Sequence, residues 1–180
     1  SVGVRHKGGS VRRRIDDPGL HCGYLVLAQL KALGIAVGDP TVRRAHTPKD
    51  TPSLASHVSA TVADLIKDTN LYSNNMMAEM LFKHLGVEDG GPATWVRART
   101  RLEGLLARAG LPGGSYVYTN GSGLYDADFL TPRQMVVFLR WMRSQPQLSE
   151  VFAASLPLGG RSGTLRGRLR QKDVIDRVRA

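Results

Sequence analysis

Leu20, Tyr24, Leu27 and Leu30 recur at three- and four-residue steps, with Asp17-Pro18 ahead of them and Gly34 behind. That spacing places the apolar side chains on one helical face. Asp supplies an N-cap acceptor, Pro a pre-set φ at the first helical position, and Gly a stop. Val58, Val62, Leu65, Ile66 and Thr69 form a second stripe, in a helix predicted to begin at Ser56 and to break over residues 70–73. Another helix is predicted from Asn75 to Leu85, ended by Gly86. Pro92 opens the next, with Trp95, Ala98, Leu102, Leu105 and Ala109 on one face and Gly110 as its stop. Thr131-Pro132 caps a helix carrying Met135, Val136, Leu139 and Met142, which ends before Pro146. A shorter helix follows from Ser149 to about Leu156.

Extended structure is sparser. "IAVGDPTVRRAH" offers two short pieces around a Gly-Asp-Pro turn, "SYVYT" a short strand, and "DVIDRVRA" the start of another. "NGSG", directly after "SYVYT", is a strong turn signal. "LPLGGRSGTLRGRL" reads as a glycine-rich loop, and without a Gly-Lys-Ser/Thr ending it is no Walker loop. "HTPKDTPSL" has two prolines in nine residues and reads as a connector, so a boundary is expected between residues 1–50 and 51–180. Helices with few strands suit an α/β or α+β domain.

The chain has 180 residues, 42% of them hydrophobic, enough for one real core and unlike a disordered segment. No apolar run approaches the ~20 residues of a membrane helix. The opening "SVGVRHKGGSVRRR" has no apolar core and does not read as a signal peptide. The single cysteine, Cys22, excludes internal disulfides and any zinc site of several cysteines. The five histidines, His6, His21, His46, His57 and His84, lack metal-ligand spacing. A formal charge of +10, clumped in "VRHKGGSVRRR" and "RSGTLRGRLRQK", favours polyanions such as nucleic acid, anionic lipid or an acidic cell wall. No zinc-finger or RNP-like motif accompanies the arginines, so nucleic-acid binding has charge alone behind it.

Ser73, Asn74 and Asn75 stand in the joint between two predicted helices. As N-caps, serine and asparagine contribute about 1 kcal/mol each, and a lone Ser-x-Asn is a weak signal. Its surroundings are more specific. "YSNNMMAEML" resembles the second active-site motif of penicillin-binding proteins. It most resembles that of the penicillin-binding protein 4 type of D-Ala-D-Ala carboxypeptidase, where Ser-Asp-Asn or Ser-Asn-Asn precedes "MAE-x-L". "DPGLHCGYLVLAQLKALGI", "NGSGLYDADFLTPRQMVVFL" and "FAASLPLGGRSGTLRGRL" are similar to three further stretches of that family, in order, so the likeness spans residues 16–180.

Two family motifs are missing. No serine leads to a lysine three positions on, as Ser-x-x-Lys requires, and no Lys-Thr-Gly occurs. Arg161-Ser162-Gly163 is not a substitute, because it lies in the Gly-Thr-Leu segment that precedes that strand in the family. The resemblance therefore implies the helix-rich part of a β-lactamase/transpeptidase-like domain, with the end of an inserted domain at its N-terminus and the nucleophile outside this stretch. Asn120 stands where the family usually has Asp, which keeps a turn role and drops any role needing a charge.

The implied reaction is acyl transfer from a D-Ala-D-Ala peptide to a serine activated by a neighbouring base. In that scheme Ser73 relays a proton to the leaving D-alanine, since a hydroxyl both accepts and donates. The Asn75 amide holds the substrate's peptide carbonyl. Asn74, which also braces the joint, Asn120 and Ser122 are the substrate-binding candidates. No metal or organic cofactor is implied. The expected partners are peptidoglycan stem peptides ending in D-Ala-D-Ala and β-lactams, with no nucleic acid, in the periplasm or outer cell envelope. Three readings compete: a non-catalytic relative that binds cell-wall polymer, an arginine-rich nucleic-acid binder, and a class A β-lactamase. The "DPGLHCGYL" and "NGSGL" stretches disfavour the last.

Overall fold

A computed structural model describes residues 15–87, 92–126 and 128–180. The basic opening, residues 4–14, and His6 lie outside the described residues. The chain forms two compact units, Ser1–His57 and Val58–Ala180, dividing just after the proline-rich connector.

The first unit carries α1, Pro18–Ala32. Asp17 caps it as expected, its carboxylate accepting from the Leu20 N–H at 3.0 Å. The same carboxylate takes the Arg44 guanidinium at 2.7 Å, which holds it below the usual carboxylate range. No residue of α1 is buried, and Tyr24, Leu25 and Val26 each keep just over half of their surface exposed. The two extended pieces expected around Gly38-Asp39-Pro40 form no strand.

The second unit is built from α2 (Val62–Tyr72), α3 (Asn75–His84), α4 (Trp95–Arg108), α5 (Pro132–Ser144) and α6 (Ser149–Ser155). α2 begins six residues after the expected Ser56. The apolar stripe runs back to Val58, but the cap decides the start. The Asp64 N–H donates to Thr61 Oγ1 (3.2 Å), and the Thr61 hydroxyl donates to Asp64 Oδ2 (2.6 Å). α5 starts where Thr131-Pro132 foretold, with Gln134 completing a capping box.

α2 packs against α3 and α6, α5 against α6, and α3 against α4. Phe82, Ala98, Leu106, Ala109, Leu111 and Leu165 are buried between them. The Phe82 ring lies 5.9 Å from Trp95 and 5.8 Å from Tyr118, centre to centre, and its burial stabilises by roughly 1.5–3 kcal/mol.

The expected helix-rich character holds among the described residues, while the α/β part of the expectation is not fully confirmed there. "SYVYT" makes only one antiparallel bridge, Val117 to Phe129, and "DVIDRVRA" only one, Leu158 to Arg179. A strand needs a partner ladder of several residues. Here each pairing stops after a single bridge.

Candidate active site

α2 ends on an unusual residue. Ser73 adopts the left-handed conformation (φ 52°, ψ 51°), and the Asn74 N–H donates back to the Thr69 carbonyl at 3.0 Å. That is the helix stop which glycine ordinarily takes, and a serine there bears about 1–2 kcal/mol of strain. Asn74 then caps α3, accepting from the Met77 N–H at 3.2 Å. Asn75 is the first residue of α3. One tight joint thus turns the chain between two helices and leaves Ser73 and Asn75 exposed at its tip.

Opposite the joint lies the "NGSG" turn. Together they bound a polar cavity of about 200 Å³, lined by Thr69, Asn70, Ser73, Asn75, Gly121 and Ser122 among others. A larger hollow of about 430 Å³ behind α3 is lined by Val62, Leu65, Met76, Met77, Met80 and neighbours. Its lining is mostly apolar, whereas the smaller cavity is lined largely by hydroxyl and amide side chains. A third hollow, about 420 Å³, adjoins Asn75 and Ser122 on the other side and is walled by Met76, Met80, Trp95 and Leu124.

The turn is held from three sides. The Asp128 carboxylate accepts from the Thr119 N–H (2.6 Å) and the Asn120 N–H (3.3 Å). Asn120 Oδ1 accepts from the Ser122 and Gly123 N–H groups (3.0 and 2.7 Å), while its Nδ2 donates to the Leu124 carbonyl (3.1 Å). The Glu79 carboxylate, on α3, takes the Gly121 N–H at Oε2 (3.2 Å). Its Oε1 takes both the Ser122 N–H (3.2 Å) and the Ser122 hydroxyl (2.6 Å). A methyl on Gly121 would sit 2.5 Å from the Ala78 carbonyl oxygen, so only glycine lets the turn lie flush on α3. Burial, with the Asp128 and Glu79 carboxylates nearby, pushes the Tyr118 phenol above its ordinary value.

The predicted residues divide accordingly. Ser73, Asn74, Asn75 and Ser122 share the cavity wall. Asn120 does not line it, and its side chain is spent inside the turn, in keeping with a turn role that needs no charge. Glu79 and Asp128 were missed as site-building residues. The signal for Glu79 was its place four residues after Asn75, on the same helical face. Asp128 gave none, because its partners lie across a turn.

Arg161-Ser162-Gly163 is occupied structurally. Arg161 forms a two-pronged pair with Asp176 (2.7 Å each), and Ser162 Oγ accepts from the Leu158 N–H at 2.9 Å. Gly163 (φ +52°) lies so close to α2 that a methyl there would fall on the Leu71 carbonyl oxygen. Beside it, Ser155 is buried and accepts from Asn70 Nδ2 at 2.8 Å, pinning the last turn of α2 to α6.

The chain has relatives both in sequence and in fold. Residues 1–180 match the profile of the D-Ala-D-Ala carboxypeptidase 3 (S13) family, and the chain belongs to that family. It is 32% identical over 165 residues to a D-alanyl-D-alanine carboxypeptidase of Actinomadura sp. (strain R39), covering 88% of this chain and 30% of that protein. It is 25% identical over 158 residues to the D-alanyl-D-alanine carboxypeptidase DacB of Haemophilus influenzae, covering 86% and 32%. In fold it is similar to the crystal structure of penicillin-binding protein 4 (dacB) from Haemophilus influenzae in complex with a β-lactam. The TM-score is 0.78 at 24% identity, covering 92% of this chain and 39% of that one. The chain therefore spans about a third of the length of the curated relatives it matches.

Proposed function

We propose that this chain carries the Ser-x-Asn part of a serine D-Ala-D-Ala carboxypeptidase or endopeptidase acting on peptidoglycan stem peptides. One observation carries the reading. Three hydroxyls line the polar cavity, and two have their protons committed: Thr69 to the Leu65 carbonyl (2.7 Å) and Ser122 to Glu79 (2.6 Å). Ser73 Oγ has no hydrogen-bond partner among the described residues, nor has the Asn75 amide. A proton relay needs a hydroxyl that is free to exchange both ways, and a substrate clamp needs an amide not already satisfied. Both stand free at the tip of a strained joint, where strain is often retained for function.

In this reading the attacking serine and its lysine come from elsewhere in the protein. Ser73 passes the proton to the departing D-alanine nitrogen, and Asn75 fixes the scissile peptide. Asn74 braces the joint, and Ser122 accepts from substrate across the cavity. The apolar hollow beside Asn75 suits the aliphatic part of the stem peptide. The relative of known structure that was solved with a β-lactam supports β-lactams as acylating partners. Residues 1–50 would be the end of an inserted domain, and the two isolated bridges would extend into a sheet completed by the rest of the protein. The site of action would be the periplasm or outer cell envelope.

The test is Ser73→Ala in the protein that contains this segment together with its nucleophile. Acylation by a penicillin and turnover of an N-acyl-D-Ala-D-Ala peptide should slow by roughly 10²–10⁴, the range for a lost proton relay. Near-normal rates would remove Ser73 from the mechanism. A cell-wall-binding relative without catalysis would turn over no peptide even unmutated.

A further inference from the structure

We infer that Glu79 is a positioning residue that sets the width of the cavity and the hydrogen-bonding polarity of its far wall; this rests on the cavity being the peptide site. Glu79 lies one helical turn after Asn75, so α3 presents both on one face. Asn75 faces the cavity unpartnered, while Glu79 reaches across to the opposite wall. Its two oxygens gather three donors of the turn: the Gly121 N–H, the Ser122 N–H and the Ser122 hydroxyl. Hydrogen bonds to a carboxylate are about twice as strong as neutral ones. The half-buried side chain thus couples the helix that begins at Asn75 to the loop that faces it.

The grip has a chemical consequence as well as a geometric one. A serine hydroxyl has one proton, and Ser122 gives it to Glu79. Towards the cavity Ser122 therefore offers only a lone pair. It accepts from a substrate N–H and is withdrawn from proton transfer, which leaves that task to Ser73. Without Glu79 the Ser122 hydroxyl keeps only the longer contact to Asn120 Oδ1 (3.3 Å), so no short bond holds its proton away from the cavity. The wall then loses its fixed acceptor, and the turn loses its anchor on α3.

The comparison of Glu79→Ala, Glu79→Gln and Ser73→Ala in the nucleophile-containing protein decides the matter, with an N-acyl-D-Ala-D-Ala peptide and a fluorescent penicillin as probes. Glu79→Ala should lower kcat for the peptide by roughly 10–100-fold, the usual result of a misplacement of about 1 Å, with KM changed less. Glutamine keeps the oxygen that serves both Ser122 donors but sets an NH₂ against the Gly121 N–H. It should recover activity to within about tenfold of wild type even though the unpaired Gly121 N–H lowers the unfolding temperature somewhat. Wild-type acylation in Glu79→Ala, with Ser73→Ala slowed, overturns this inference alone. Equal losses in both Glu79 variants that follow a falling unfolding temperature reduce Glu79 to a fold-holding role and overturn it too. Wild-type acylation in Ser73→Ala overturns the reading of the cavity, and this inference with it.

Discussion

Ser73 joins two demands that pull apart. Its backbone sits in the left-handed region, where glycine costs least, yet the proposed proton relay needs a hydroxyl there. Replacing it by glycine separates the two. Ser73→Gly should leave stability unchanged or raise it by up to about 1 kcal/mol, because the strain goes with the Cβ. Acylation should still fall as in Ser73→Ala. Urea unfolding beside penicillin acylation measures both. A variant much less stable than wild type would mean that the joint depends on the serine side chain after all. The sequence made Ser73 and Asn75 legible because they fall in a local motif. For Glu79 it offered only the helical face shared with Asn75, since the bond to Ser122 spans 43 positions and nothing nearby marks Glu79 as a loop anchor.

At the level of elements, the caps proved more informative than the stripes. Asp17-Pro18 and Thr131-Pro132 placed α1 and α5 correctly, because a cap is a short-range bond between residues three apart. The Ser56 start failed because apolar periodicity continued past Thr61, which the backbone chose as its cap. The expected strands failed for a different reason. A strand is completed by a distant partner, and Val117 and Arg179 each find only a single-bridge pairing among the described residues. In sequence the glycine-rich stretch reads only as a loop, whereas in the structure Gly163 packs it against the end of α2. Gly163→Ala adds a methyl at a positive φ against the Leu71 carbonyl and should cost about 2–4 kcal/mol. Thermal unfolding of the variant measures this. A loss under 0.5 kcal/mol, on the order of a neutral surface change, would show that the segment yields without effort.

Across the molecule, the proposed chemistry is divided. The cavity would hold the proposed relay and clamp, but no serine with a lysine three positions on exists anywhere in the 180 residues. Expressed by itself, this stretch should release no D-alanine and take no covalent penicillin. Mass spectrometry after incubation with a β-lactam checks this, and an adduct would mean that a serine of this chain is itself the nucleophile. The sparse burial has its own consequence. With no side chain of α1 fully buried and Met76 about two-thirds in water, many apolar faces are left exposed among the described residues. During synthesis they would be wet until covered, so chaperone demand and clumping would be set by how soon that happens, more than by any flaw in the helices themselves.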